Sequence, residues 1–128
     1  PAIRIRSRCL PRTVCAEVGP EVISGSSRMK SGTAQKMIVN MLSTGAMVRL
    51  GKTYRNYMVD VRVHNQKLYQ RAVNYVAEIT GVDSQTAEKK LKEAESVKIA
   101  CVMLIKKCSK QQAAEMLRQN EGILRRVI

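Results

Sequence analysis

The chain is poor in aromatic side chains and in negative charge. It has no tryptophan and no phenylalanine, and tyrosine alone supplies its 3% of aromatic residues. Many proteins that bind single-stranded nucleic acid stack bases on aromatic rings, and no such stacking platform is visible here. The 10 acidic residues are outnumbered by 23 lysines and arginines, which gives a formal net charge of +13. That charge attracts polyanions, but its even spread along the chain favours a solvated basic surface over a binding tract.

Histidine and metal-binding cysteine patterns are also missing. The four cysteines are Cys9, Cys15, Cys101 and Cys108. They form no Cys-x-x-Cys pair, and the single His64 stands at no zinc-ligand spacing from them, so we predict neither a metal site nor a catalytic histidine. Free thiols are typical of a reducing cytoplasm. Residues 1–20 lack a signal-peptide core, and no apolar run approaches the ~20 residues that span a bilayer. We therefore predict a cytoplasmic protein without a membrane segment.

The stretch from Glu21 to Lys36 combines glycines, hydroxyls and cations immediately before a long apolar segment. Its sequence is Glu-Val-Ile-Ser-Gly-Ser-Ser-Arg-Met-Lys-Ser-Gly-Thr-Ala-Gln-Lys. The glycines permit close backbone approach, the serines can donate hydrogen bonds, and free amides at the start of the following helix would face the same ligand. The pattern predicts a phosphate-binding loop. The alternative is an ordinary turn in which Ser31 or Thr33 caps the helix. The spacings of a Walker loop and of a dinucleotide-binding glycine motif are absent.

Three segments carry a family resemblance. They are Gly19–Lys36, Asn40-Met41-Leu42-Ser43-Thr44 and Met58-Val59-Asp60-Val61. Together they closely resemble the N-acetylmuramic acid 6-phosphate etherases, which are bacterial phosphosugar enzymes of the sugar-isomerase (SIS) type and relatives of the animal glucokinase regulatory protein. The resemblance runs from about Val18 to the C-terminus. It covers only the second half of such an enzyme.

The resemblance implies an activity and a set of partners for the complete protein. These etherases remove the lactyl ether from N-acetylmuramic acid 6-phosphate, which yields N-acetylglucosamine 6-phosphate and lactate during peptidoglycan recycling. The reaction uses no metal or organic cofactor. The expected partners are a phosphorylated amino sugar and a second copy of the chain in a homodimer. The family's catalytic glutamates lie in the first half of the phosphosugar domain, so no catalytic residue is expected in this chain.

The same resemblance places part of the phosphosugar pocket in the segment from Ser24 to Lys36. The predicted substrate-binding residues are Glu21, Ser26, Ser27, Arg28, Lys30 and Thr33. Arg28 and Lys30 are the expected cationic contacts, and the hydroxyl residues are the expected donors. Glu21 is expected to position the loop or to touch sugar hydroxyls, and not to act as the base. The alternative is that Arg28 pairs with an acid to hold the loop while Thr33 only caps the helix.

Apolar residues at three- and four-residue spacing predict five helices. The first runs from Thr33 to about Leu50, is covered on more than one side and stops at Gly51. The resemblance implies that it packs on the sheet of the phosphosugar domain, and it would expose apolar area without that partner. Residues 53–64 are predicted to form an extended connector or short strand. Asn65 is the predicted N-cap of a helix that runs to Thr80 and ends at Gly81. Three short helices follow, with predicted N-caps at Ser84, Ser96 and Ser109.

These elements predict a mainly α fold in two domains. Residues 1–81 would form the C-terminal fragment of an α/β sugar-isomerase domain, and residues 82–128 a small three-helix bundle. The resemblance gives the bundle a ubiquitin-associated (UBA)-like form. Residues 1–17 are atypical, because Ile3-Arg4-Ile5-Arg6 alternates like a short edge strand before Pro11, where the resembled family has a more apolar and acidic run.

Two other functions stay open at this stage. The first is a non-catalytic phosphosugar sensor like the glucokinase regulatory protein, which uses the same kind of pocket to control a partner. The second is a basic nucleic-acid-binding module, since three short helices also occur in helix-turn-helix proteins. Lys110 and Arg118 on the last helix are offset by Glu115, and no helix concentrates Arg, Asn and Gln on one face, so the pattern does not favour nucleic acid.

Overall fold

The computed structural model describes residues 2–6 and 13–128, and it consists mainly of helices. Its elements are β1 (Ala2–Arg6), β2 (Thr13–Glu17), α1 (Lys30–Arg49), β3 (Thr53–Tyr54), β4 (Tyr57–Met58), α2 (Gln66–Thr80), α3 (Ser84–Ala94), α4 (Val97–Lys106), α5 (Lys110–Gln119) and a 3₁₀ turn (Leu124–Arg126). The predicted mainly α fold is confirmed. The SIS fragment and the UBA-like form of the bundle stay predictions. None of the helices in the described residues is long and apolar enough to cross a membrane.

The chain divides into two compact units, Pro1–Ala46 and Met47–Ile128. In the first unit, β1 and β2 pair as an antiparallel ladder in which Ala2 lies opposite Glu17 and Arg6 opposite Thr13. The strand predicted from the Ile-Arg alternation is therefore present. Cys9 and Pro11 lie outside the described residues.

Helix α1 begins at Lys30, three residues before the predicted start at Thr33, and only Ser31 and Ile38 along it are buried. Its exposed large apolar residues are Met37, Val39, Met41, Leu42, Met47 and Val48. The expectation that this helix exposes apolar area is therefore confirmed, whereas the expectation that it is covered on more than one side is wrong for this chain. The helix stops at Gly51 as predicted: φ there is +65°, and its amide donates a 3.1 Å hydrogen bond to the Val48 carbonyl.

The segment after α1 forms a two-stranded hairpin in which Thr53 pairs with Met58 and Tyr54 with Tyr57. The predicted extended connector is thus folded back on itself by a two-residue turn. The amide of Val59 donates a 3.0 Å hydrogen bond to the Lys52 carbonyl, which closes the base of the hairpin. Val59 itself is 1% exposed and belongs to the core of the second unit.

Helix α2 has the caps that its sequence predicts. The side chain of Asn65 accepts a 2.9 Å hydrogen bond from the Leu68 amide at the N-terminus. At the C-terminus, Gly81 takes φ +75° and donates from its amide to the Ala77 carbonyl at 2.8 Å. The buried face of the helix carries Ala72, Val73 and Val76.

The three predicted short helices are all present, but their caps differ from the predictions. The N-cap of α3 is Asp83 and not Ser84, because the Asp83 carboxylate accepts from the amides of Gln85 and Thr86 at 2.9 and 3.0 Å. Ser96 is the N-cap of α4 but makes no side-chain capping bond. Ser109 caps α5 in a reciprocal capping box with Gln112, so that prediction is confirmed.

Helix α2 packs against α3 and α4, and α5 packs against α4. Their shared core also receives Val59 and Leu124 from outside the helices. The domain boundary near Val82 stays a prediction, and the contacts of α2 join it closely to the helices that follow. This unit buries its apolar residues in the ordinary way of a small helical domain.

Candidate functional site

The loop before α1 consists of tight turns in which glycines adopt a conformation that other residues disfavour. Gly19 and Gly25 have φ values of +69° and +81°, in the left-handed region. The Ser26 amide donates a 3.1 Å hydrogen bond to the Ile23 carbonyl and closes the turn at Gly25. Ser26 is also tied to the chain that follows, since its Oγ accepts from the Arg28 amide at 3.5 Å.

Glu21 holds the loop on the beginning of α1. Its Oε2 accepts a hydrogen bond from the Lys30 amide and its Oε1 accepts one from the Ser31 amide, both at 3.1 Å. The hydrogen bond from the Ser31 amide, followed by that from the Lys30 amide, lowers the pKa of Glu21 below its ordinary value of 4.5. The carboxylate therefore stays ionised near neutral pH and occupies the position that an anion takes at a helix N-terminus.

This arrangement corrects two expectations about the helix start. The amides expected to be free for a ligand are taken, because Glu21 binds those of Lys30 and Ser31, and the Gly32 and Thr33 amides donate to carbonyls of the loop at 3.1 and 2.9 Å. The helix is capped by Glu21 and not by Ser31 or Thr33. The Ser31 hydroxyl is instead 4% exposed and has no hydrogen-bond partner within the described residues.

The two predicted cations behave differently. The Lys30 ammonium donates a 2.8 Å hydrogen bond to the Pro20 carbonyl, so it spans the loop from the start of the helix. Arg28 is exposed and forms no ion pair within the part of the chain that the structure describes. The alternative in which Arg28 pairs with an acid to hold the loop is therefore not observed. Glu21 holds the loop instead, through the hydrogen bonds that it accepts from the Lys30 and Ser31 amides.

The predicted site residues are divided between two neighbouring concavities of the first unit. One, of about 470 Å³, is lined by Glu21, Ser26 and Ser27 together with Pro20, Ser24 and Gly25. The other, of about 770 Å³, is lined by Arg28, Lys30 and Thr33 together with the apolar residues Val18, Met29, Ala34 and Met37. The structure thus separates a hydroxyl-rich part from a cationic part with an apolar wall.

The apolar wall was not predicted from the sequence, which indicated only that the helix is covered on more than one side. A signal for it exists, because Lys30, Thr33, Ala34 and Met37 recur at the three- and four-residue spacing of one helix face. Chemically, the arrangement can bind an anionic group through side-chain cations and hydroxyls while a less polar part of the ligand covers the wall. It offers no free carboxylate as a base, since Glu21 is bound to the backbone.

Comparison with protein families and individual proteins agrees with the resemblance seen in the sequence. A family model described as the C-terminal lid domain of glucokinase regulatory protein matches residues 55–97.

Three similar proteins are named N-acetylmuramic acid 6-phosphate etherase. The one from Pseudoalteromonas atlantica is 54% identical over 113 residues, which are 88% of this chain and 37% of the relative. That from Pseudothermotoga lettingae is 53% identical over 116 residues, 90% of this chain and 38% of the relative. That from Yersinia pestis is 56% identical over 109 residues, 84% of this chain and 37% of the relative.

The lid-domain match relates the chain to proteins of the glucokinase-regulatory type and fits a C-terminal piece of such a protein. The identities of 53–56% confirm the resemblance to the N-acetylmuramic acid 6-phosphate etherases. The chain spans 37–38% of the length of these relatives.

Proposed function

We propose that this chain is the pocket-forming and C-terminal part of an etherase that cleaves the lactyl ether of N-acetylmuramic acid 6-phosphate. The products are N-acetylglucosamine 6-phosphate and lactate. The observation that carries the proposal is the identity of 53–56% to proteins of that name over 84–90% of the chain. A match over that share of 128 residues necessarily includes the loop and helix start between Glu21 and Lys36. We extend the proposal to a cytoplasmic homodimer that acts in peptidoglycan recycling.

Cleavage of this ether by elimination requires a base that removes the proton beside the sugar carbonyl and an acid that protonates the departing lactate oxygen. We assign both groups to the part of the complete protein that this chain does not contain. The contribution of this chain is binding: Arg28 and Lys30 neutralise the phosphate, and hydroxyls of Ser26, Ser27 and Thr33 donate hydrogen bonds to the phosphosugar. No metal or organic cofactor enters the proposal.

Two features of the loop support these roles. Glu21 is ionised and held by two amides, which suits a residue that positions the loop and does not suit one that must accept a proton. The ammonium of Lys30 lies against a backbone carbonyl, a neutral partner that an incoming phosphate can replace at a gain in electrostatic energy.

A second candidate function is a phosphosugar sensor without catalysis. The match of residues 55–97 to the lid domain of glucokinase regulatory protein favours it, because the regulator shares this domain. In a sensor the same loop would bind the phosphosugar, and the response would be a changed affinity for a partner protein in place of turnover. Binding experiments alone do not separate the two functions, whereas turnover does.

The deciding experiment measures lactate release from N-acetylmuramic acid 6-phosphate by the complete protein and by this chain of 128 residues. Lactate is expected from the complete protein only, because the proposed acid and base lie outside this chain. A folded complete protein that binds the phosphosugar without releasing lactate would make it a sensor. A complete protein that neither binds nor cleaves the phosphosugar, but shifts duplex DNA in a salt-dependent way, would support the nucleic-acid module instead.

A further inference from the structure

Two arginines of the second unit, Arg55 and Arg125, line the same small cavity. Its volume is about 200 Å³, and its other walls are formed by Val48, Gly51, Thr53 and Ile123. Arg55 lies in the turn between β3 and β4, and Arg125 lies in the C-terminal 3₁₀ turn. None of these residues belongs to the phosphosugar pocket proposed above.

Neither arginine has an acidic partner within residues 47–128, all of which the structure describes. Every Asp and Glu side chain of that range is engaged elsewhere: Asp60 with Lys52, Glu78 with Tyr57, Asp83 with Thr86, Glu88 with Lys92, Glu93 with Lys90, Glu95 with Lys110, Glu115 with Arg118, and Glu121 with Arg126. In the last turn, Arg126 forms an ion pair with Glu121, whereas the adjacent Arg125 forms none. Both arginines are exposed, and the Arg55 guanidinium also lies over the Tyr54 ring, 5.6 Å from its centroid. Two like charges therefore line one cavity without an acidic partner, an arrangement that favours the binding of an anion.

The backbone holds both arginines in place. Arg55 has a φ of +53° in a two-residue hairpin turn, a conformation for which glycine is the favoured residue. The turn that carries Arg125 is anchored by Leu124, which is fully buried. The approach of Gly51 to Ile123 joins the two sides of the cavity, because a Cβ on Gly51 would lie 2.6 Å from Cγ1 of Ile123. The two guanidinium groups are thus carried by elements that pack together.

We propose that this cavity binds a small oxyanion, specifically the phosphate group of a small molecule. Guanidinium groups carry planar sets of N–H donors that match phosphate oxygens, and Thr53 in the same lining has a hydroxyl that can donate. A cavity of about 200 Å³ is below the ordinary size of a site for a whole drug-sized ligand, so it suits a terminal phosphate and not a complete nucleotide.

The test is a titration of the ¹⁵N-labelled chain with inorganic phosphate at low ionic strength, followed by NMR. Saturating shifts are expected at the amides of Gly51, Thr53 and Ile123. The test variant is Arg55→Gly combined with Arg125→Ala, because glycine accepts the positive φ at position 55 and the fold is retained. Loss of two charge-assisted contacts should weaken phosphate binding at these amides by at least about tenfold.

The matched control removes two charges from another part of the same unit. Arg71 and Lys106 are both exposed and line none of the cavities described, so Arg71→Ala combined with Lys106→Ala should leave the affinity within about twofold. If both double variants weaken phosphate binding equally, net charge alone explains the effect and the proposed site is ruled out. Shifts that do not saturate, or that persist after the loss of Arg55 and Arg125, would also overturn it. If duplex DNA shifts these amides at lower concentration than phosphate does, the ligand is a nucleic acid and the proposal of a small phosphorylated molecule is wrong.

Discussion

The carboxylate of Glu21 and the backbone amide of Ser31 are joined by a 3.1 Å hydrogen bond across ten residues of sequence. With the parallel bond to Lys30, this contact places a negative charge of the protein itself at the N-terminus of α1. A phosphate ligand cannot use the same amides. The phosphate recognition that we propose for this loop would therefore depend on side-chain cations and hydroxyls, which makes Arg28, Lys30 and Thr33 the residues to test.

Acidification should release the cap that Glu21 forms. Hydrogen bonds from the Ser31 and Lys30 amides lower the pKa of Glu21 in the folded chain, so the stabilisation is fully present above the unfolded pKa of about 4.5. It is lost as the pH falls through the lowered folded value. The protection of the Lys30 and Ser31 amides against hydrogen exchange, measured relative to their intrinsic rates at each pH, should fall over that range and should already be lost at pH 7 in Glu21→Ala. Protection factors at these amides that stay constant between pH 6 and pH 2 would contradict the capping role.

Lys30→Ala should weaken phosphosugar binding by the complete protein by about tenfold, because it removes a charge-assisted contact. The fold should be retained, since the Lys30 side chain is exposed and its one hydrogen bond is to the Pro20 carbonyl. Isothermal titration calorimetry with N-acetylmuramic acid 6-phosphate measures the change. Lys36→Ala is the matched control, as an exposed lysine of the same helix that lines neither concavity. Unchanged affinity in Lys30→Ala would remove Lys30 from the site.

Lys98→Met should destabilise the second unit by about 1–2 kcal/mol. Lys98 is 9% exposed, its ammonium donates a 2.8 Å hydrogen bond to the Gly122 carbonyl, and Asp60 lies 3.9 Å away. Methionine keeps the apolar stem but leaves the Gly122 carbonyl without its partner. It also removes a charge whose desolvation is unfavourable and lowers the pKa of Lys98, which offsets part of the loss. Urea denaturation followed by circular dichroism measures the change.

Lys106→Met is the control for that prediction, because Lys106 lies at the exposed end of the same helix. It should change the free energy of unfolding by less than about 0.5 kcal/mol. If the two variants are equally stable, the hydrogen bond between Lys98 and Gly122 contributes nothing measurable.

Gly51→Ala should be more damaging than Gly81→Ala, although both glycines have positive φ. At Gly51 a Cβ would lie 3.1 Å from the Ile123 Cα and closer still to its side chain, whereas nothing lies within 4 Å at Gly81. Gly81→Ala should cost about 1 kcal/mol for the backbone conformation alone. Gly51→Ala should cost about 2–4 kcal/mol, because overpacking adds to that strain. Equal losses in thermal melting temperature would show that Ile123 moves aside freely.

Thiol labelling should separate the cysteines by their environment. Cys15 is exposed and Cys108 is partly buried, whereas Cys101 is fully buried and burial raises its pKa to about 12. Of these three cysteines, a maleimide reagent at pH 7 should therefore modify Cys15 first and Cys101 only when the second unit unfolds, because the thiolate is the reactive form. Peptide mass spectrometry gives the order. Labelling of Cys101 at the rate of Cys15 in native conditions would contradict the buried core around α4.

The elements that could be predicted from sequence are those whose signals are local. The caps of α2 at Asn65 and Gly81 and the capping box of α5 at Ser109 depend on residues within one or two turns, and all three are confirmed. The N-cap of α3 was misplaced at Ser84, because Asp83 and Ser84 are both good caps and the choice depends on which side chain reaches the amides. The start of α1 was misplaced because its cap comes from Glu21, outside the helix.

The sequence by itself determined the mainly helical fold, the stops at Gly51 and Gly81, and the resemblance to the etherases, because helix periodicity, glycine conformation and motif order are all carried by neighbouring residues. Only the tertiary structure decided that Glu21 occupies the amides at the start of α1, that the Ser31 hydroxyl is buried with no hydrogen-bond partner among the described residues, and that Arg55 and Arg125 share a cavity. Each of these outcomes depends on residues that are distant in sequence. They depend on how loops and turns close in space, which no short-range pattern of residue types specifies.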